Sequence, residues 1–136
     1  MDYKELAKTA LQAKLTAYAP YSKFNVGAAL LTKSGKIYTG CNIESAAYSP
    51  TNCAERTALF KAISEGEREF VAMAIAGSPE NQLPDYCYPC GVCRQVLKEF
   101  VADDFVLVIA KSDEDFKIHS FIELLPYGFG ASDLRG

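Results

Sequence analysis

No run of about 20 apolar residues occurs in this chain, and a transmembrane helix needs one, so a helical membrane span is excluded. A basic excess is missing as well. Lys and Arg number 14 against 17 Asp and Glu, a formal charge of −3. Polynucleotide binders usually show a positive face, so no nucleic-acid partner is expected. Hydrophobic residues make up 49% and charged residues 23% of the 136. That average composition excludes intrinsic disorder and a collagen-like chain. No internal repeat, low-complexity run or linker is found, and the reading is one domain over residues 1–136 with a sizeable core. The first ten residues include Asp2, Lys4, Glu5 and Lys8, so no secretory leader is expected and the expected location is cytoplasmic. Tryptophan is absent and histidine occurs once, as His119. His119 ends a charged stretch and reads as a surface or capping residue rather than a metal ligand.

What the chain does have is five cysteines: Cys41, Cys53, Cys87, Cys90 and Cys93. An odd count without a leader argues against a disulfide framework. In a reducing compartment, clustered cysteines more often hold metal or do chemistry.

Apolar spacing of three and four predicts a helix over 2–18, broken by Ala19-Pro20. Residues 24–33 read as a central strand covered on both faces. Ser34-Gly35 is a hairpin turn, and 36–43 is the return strand. On that strand Cys41 shares a face with Ile37 and Ile43 and reads as a small core residue. A helix is expected to start near Asn52 as N-cap and to stop at Gly66. A buried strand over 70–76, a polar loop, a helix from Gly91 to Val101 and a buried strand over 105–110 follow. The tail reads as a short helix near Ser120–Leu125, then an irregular end. Strand–helix–strand alternation after a hairpin predicts a mixed-sheet α/β domain.

The chemistry gathers where two helices begin. Cys53-Ala54-Glu55 opens one, and Pro89-Cys90-Gly91-Val92-Cys93 opens the other. A helix N-terminus favours the thiolate, which is the ligand form of cysteine. Three thiolates with a fourth position open is the plan of a catalytic zinc site. Glu55 can share that site only if Cys53 lies at the cap, outside helical phase. Three thiolates and Zn²⁺ sum to −1, so a positive neighbour is needed. Arg56, three residues after Cys53, is assigned that part. Cys90-x-x-Cys93 alone also fits a redox pair or half of a structural zinc site. Cys87 is a rival ligand by spacing, and Cys41 is not one.

These segments resemble the cytidine deaminase family in its short, homotetrameric form. The resemblance runs through Ala-Pro-Tyr-Ser-Lys-Phe-Asn-Val-Gly-Ala-Ala-Leu (19–30), Gly-Cys-Asn-Ile-Glu (40–44), Ala-Ala-Tyr-Ser (46–49) and Cys-Ala-Glu-Arg-Thr-Ala (53–58). It continues in Pro-Cys-Gly-Val-Cys-Arg-Gln-Val (89–96) and Glu-Leu-Leu-Pro (123–126). It implies a three-layer α/β/α domain with a mixed five-stranded sheet. It implies one zinc per subunit on Cys53, Cys90 and Cys93, with Glu55 as general acid/base. Asn42 and Glu44 match residues that hold a ribose hydroxyl. Phe24 matches an aromatic near the pyrimidine, and the Ala54 N–H a donor to its carbonyl. Phe129 matches an aromatic that reaches a neighbouring subunit's active site. The implied reaction is hydrolytic removal of the 4-amino group of cytidine or 2′-deoxycytidine, in pyrimidine salvage. Ser45 and Tyr88 depart from the usual Asn and Ser. A polynucleotide-editing deaminase is disfavoured by the charge, and a non-catalytic zinc module by Glu55.

Overall fold

The computed structural model describes residues 2–135. Helix α1 spans Tyr3–Ala13, and the Asp2 side chain caps it by accepting from the Lys4 N–H. One 3₁₀ turn, Lys14–Thr16, finishes the segment. Strands β1 (Phe24–Thr32) and β2 (Ile37–Cys41) form the expected hairpin, with Gly35 at φ +95° in the turn. Then come α2 (Ala54–Ser64), β3 (Phe70–Pro79), α3 (Gly91–Phe100) and β4 (Val106–Ala110). Strand β5 (Phe116–Ser120) and short helices α4 (Phe121–Leu124) and α5 (Ala131–Arg135) close the chain.

The sheet order is β2-β1-β3-β4-β5. Only β3 and β4 pair in parallel; the other neighbours are antiparallel. Strand β1 opposes both β2 and β3, so β2 and β3 run the same way. Both are followed by a helix on the same face. The starts of α2 and α3 therefore lie at one end of the sheet, beyond the carboxyl ends of β2 and β3. That is where α/β sheets place their ligands.

Each face of the sheet has its own core, giving three layers. On one face Leu6, Ala7 and Ala10 of α1 pack on Ala29, Leu31, Ala72, Ala74, Ala76 and Val108. On the other, Leu59 of α2 and Leu97 of α3 join Leu30, Met73, Ile75, Leu107, Ile109 and Phe121. The period-two alternation of β3 explains the division: alanines face the single helix, larger chains face the pair. Burying each Leu stabilises by about 1.5–3 kcal/mol.

Two glycines set how closely the helices approach. A Cβ on Gly27 would lie 2.2 Å from the Ala10 carbonyl oxygen of α1. A Cβ on Gly40 would lie 2.4 Å from the Ala54 oxygen and 2.5 Å from the Ala58 nitrogen. Gly40 thus lets the first turn of α2 rest on β2.

Several expectations need correction. The N-cap of α2 is Cys53, not Asn52. Asn52 bridges Ile43 instead, and its amide donates to the Thr57 hydroxyl. On β2 the core side is Tyr38 and Gly40, while Ile37 and Ile43 are exposed. Cys41 is therefore half-buried on the outer side, with its thiol 3.5 Å from the Thr16 oxygen. The residue reading missed β5, an edge strand, and α5.

Candidate active site

The two helix starts bring three sulfurs together. Cys53 and Cys90 are both N-caps with extended backbone (ψ 157° and 167°). Neither is in helical phase, and the Cys90 side chain turns back over the first turn of α3. Cys93 sits within the first turn of α3 and is fully buried. Its backbone N–H donates to the Cys90 sulfur at 3.5 Å. The three Sγ atoms lie within 4.8 Å of one another, and Cys53 to Cys90 is 3.8 Å. Sulfurs bonded tetrahedrally to one zinc at about 2.3 Å are about 3.8 Å apart. The trio therefore fits the ion in size and in ligand chemistry. Neither Cys87 nor Cys41 belongs to it.

The protonation of the trio points the same way. The Cys53 thiol is pulled down to about 5, first by a hydrogen bond from the Cys93 thiol and then by Arg56. The Cys93 thiol is pushed up, because it is the donor in that bond and is buried. The protein's own groups thus favour a thiolate at Cys53 and a thiol at Cys93. A divalent cation is what allows all three to ionise.

Arg56 supplies the neighbouring positive charge. Its Nη2 donates to the Cys53 sulfur and to the Thr51 carbonyl, each at 3.5 Å. Among the described residues no carboxylate pairs with it, and its buried Nε meets no protein acceptor. Its charge is directed at sulfur.

Glu55 is 4% exposed. Desolvation pushes its carboxyl up to about 7, with the nearby Cys53 charge adding to the effect. It lines a cavity of about 310 Å³ together with Cys53, Cys90, Ala54, Phe24, Asn42 and Glu44. Ser22, Val26, Thr51, Asn52, Cys87 and Tyr88 complete the wall. The Ala54 N–H is in the first turn of α2 and has no intrahelical acceptor.

Asn42 and Glu44 reach the cavity but are also tied to the fold. The Asn42 amide accepts from the Val26 N–H at 2.9 Å and donates to the Phe24 carbonyl at 2.8 Å. One amide hydrogen and one lone pair remain for a ligand. Glu44 accepts from the Tyr21 and Ser22 N–H groups at 3.1 and 3.0 Å and from the Ser22 hydroxyl. The Ser22 hydroxyl, above all, holds its carboxyl below the usual range. Of the departures, Ser45 accepts from the Ala47 N–H, and Tyr88 lines the wall. Phe129 is apart from this group. It is 58% exposed and borders a different groove, with Gln95 and Leu134. Sequence reasoning missed Ser22 and Arg94. Ser22 lies inside the motif over 19–30, and its role shows only once Glu44 is folded against it. Arg94 ties the Pro89 and Leu124 carbonyls at 2.8 Å each and so steadies the turn that carries Cys90.

A family model described as the cytidine and deoxycytidylate deaminase zinc-binding region matches residues 1–109. The chain belongs to this family. The cytidine deaminase of Halalkalibacterium halodurans is 48% identical over 135 residues, 99% of each chain. That of Sporosarcina psychrophila is 46% identical over 134 residues, 98% of this chain and 96% of the relative. The crystal structure of cytidine deaminase from Burkholderia pseudomallei superposes with a TM-score of 0.86 at 44% identity, covering 95% of this chain and all of that one. As in these deaminases, the fold is a mixed five-stranded sheet with helices. Among the described residues no helix is long and apolar enough to cross a membrane.

Proposed function

We propose that this chain is one zinc-dependent deaminase domain that hydrolyses cytidine and 2′-deoxycytidine to uridine and 2′-deoxyuridine with release of ammonia. The observation that carries the reading is the trio Cys53, Cys90 and Cys93, spaced for one tetrahedral ion beside buried Glu55. Cys53, Cys90 and Cys93 are the zinc ligands, and Arg56 offsets their charge. Zinc held there supplies Lewis acidity that brings the pKa of water toward neutrality. Glu55, poised at about 7, is suited both to take a proton and to give it back. It takes the proton of the attacking water, delivers it to ring N3, and later passes a proton to the departing amine. The Ala54 N–H meets the pyrimidine carbonyl, Phe24 packs near the ring, and Asn42 and Glu44 hold the sugar hydroxyl.

The cavity favours a nucleoside over a nucleotide. No Lys or Arg is among its lining residues, whereas the carboxylate Glu44 is. A phosphate in that place would meet the Glu44 carboxylate with no cationic side chain in the cavity wall. Pyrimidine salvage in the cytoplasm follows as the setting. The reading extends to a homotetramer in which Phe129 completes a neighbour's site. Its exposure and its distance from the chain's own cavity favour that role.

The test is to incubate zinc-loaded protein with cytidine, deoxycytidine, deoxycytidylate and a cytosine-containing oligonucleotide, and to measure ammonia. Ammonia from the two nucleosides alone is expected. Glu55→Ala should keep zinc and lose nearly all turnover, and a fully active variant would overturn the assignment. A monomer in sedimentation would refute the tetramer.

A further inference from the structure

The wall nearest the thiols carries a side chain that the hydrolysis leaves unused. Tyr88 lines the cavity and stands two residues before Cys90, within about 7 Å along the backbone. Its hydroxyl is hydrogen-bonded to His119 Nε2 at 3.2 Å, and the two rings meet edge to face with centroids 5.5 Å apart. The other imidazole nitrogen, Nδ1, lies 3.1 Å from Glu123 Oε2. Glu123 Oε1 in turn accepts from the backbone and hydroxyl of Ser120 at the start of α4. Tyr86 is held by the same edge of the sheet. Its hydroxyl donates to Asp115 at 2.6 Å, and Lys117 Nζ lies 4.4 Å from its ring centroid. Residues 86 and 88 thus face 115, 117 and 119, the alternate positions of one strand face. Between them Cys87 turns away and packs over Gly77 beside Phe24. A segment pinned twice in this way leaves the Tyr88 ring little freedom.

We propose that Tyr88, held in place by His119, limits which substituents the site accepts on the exocyclic amine of its pyrimidine. The inference rests on the deaminase reading above. The carbon that reacts must sit between Glu55 and the thiols. The exocyclic amine is bonded to that carbon, so a group attached to the amine enters the space beside residues 87–90. Tyr88 is the largest side chain there. A bare amine fits beside the fixed ring, and an alkylated amine meets it. Hydrolysis of N4-methylcytidine needs no other reagent: water oxygen bonds to C4, the C4–N bond breaks, the nitrogen takes a proton, and uridine and methylamine result. His119 acts through Tyr88 and is a positioning residue.

The experiment compares kcat and KM for cytidine and N4-methylcytidine in the wild type, Tyr88→Ser, Tyr88→Phe, His119→Ala and His119→Gln, all zinc-loaded to the same content. One methyl group is worth about ten- to a hundredfold in a shaped pocket. Tyr88→Ser should lower the preference for cytidine by that factor, chiefly through a lower KM for N4-methylcytidine. His119→Ala should lower it by about two- to tenfold, the worth of one hydrogen bond. His119→Gln should restore it, since its side-chain amide offers the Tyr88 hydroxyl an acceptor oxygen or a donor nitrogen in the place of Nε2. In the Tyr88→Phe background His119→Ala should add nothing. An unchanged preference in Tyr88→Ser, with wild-type cytidine turnover intact, would overturn the proposal. An equal effect of His119→Ala with and without the Tyr88 hydroxyl would overturn the positioning role. Zinc-loaded wild type that releases no ammonia from cytidine would instead overturn the deaminase reading.

Discussion

Replacing Glu55 by Gln is expected to make the protein more resistant to unfolding as pH rises, while removing turnover. The carboxyl is held near 7 in the folded chain, chiefly by desolvation, against about 4.3 in an unfolded one. Between those values the folded state keeps a proton that the unfolded state has released. Stability from this group is therefore greatest in acid and falls as pH climbs toward 7. At high pH the loss is about 2.7 pKa units, or about 4 kcal/mol. Gln has no proton to lose, so its advantage over the wild type should grow by about 2 kcal/mol between about pH 5.5 and about pH 8. The assay is equilibrium unfolding in denaturant of both metal-free proteins under reducing conditions. The offset between the two contains the packing of the new amide, so the slope with pH is the diagnostic quantity. A gap that stays constant with pH would refute the raised carboxyl. A gap that narrows would mean that Glu55 is ionised and paired in the folded state.

Other substitutions test the rest of the site. Arg56→Gln should raise the Cys53 thiol from about 5 toward its ordinary value, read from thiolate absorbance of the metal-free protein. It should also weaken zinc binding; no change in either would remove Arg56 from the charge account. Gly40→Ala puts a Cβ 2.4 Å from the Ala54 oxygen and must push the start of α2 off β2. A loss of about 1–3 kcal/mol in stability and a drop in zinc affinity are expected, and normal values for both would contradict the close approach. Cys87→Val should keep stoichiometric zinc, whereas Ala at Cys53, Cys90 or Cys93 should not. Zinc loss in Cys87→Val would return that thiol to the ligand set.

The zinc trio and Glu55 were legible because the signal is local: a thiol at each of two helix starts, with spacing that leaves little choice. The three layers were implied by the family resemblance, and the burial of 24–33 on both faces was legible from its apolar run. Strand β5 was not, although Phe116 and Ile118 alternate with Lys117 and His119. Three half-buried and two exposed residues at a sheet edge carry too little burial to stand out from a polar tail. Cys41 misled for a different reason. Its apolar neighbours Ile37 and Ile43 suggested a core face, yet the buried side of β2 is set by α2 resting on Gly40, a tertiary contact with no mark in the strand itself. The double engagement of Asn42 with the backbone of β1, and the hold of Ser22 on Glu44, likewise depend on segments about 20 residues apart meeting.

Two acids at the head of α2 have exchanged their usual order. A thiol is ordinarily the weaker acid than a carboxyl by several units, yet here Cys53 lies near 5 and Glu55 near 7. They are two residues apart, so the helix start alone does not separate them. Direction does. Cys53, at the cap, receives the Cys93 hydrogen bond and the Arg56 guanidinium. Glu55, within the first turn, faces a cavity with no cationic side chain in its wall and loses its water. Arg56 is adjacent to Glu55 in sequence but gives its hydrogen bonds to sulfur and to the Thr51 carbonyl. Had it paired with the carboxylate, Glu55 would be a permanent anion and a poor proton carrier, and the thiols would lack their counter-charge. Environments that push two titratable groups apart mark an acid/base assignment. On the proposed reading, one arginine in the segment Cys53-Ala54-Glu55-Arg56, by choosing sulfur, fits the first residue to hold a metal and leaves the third free to move a proton.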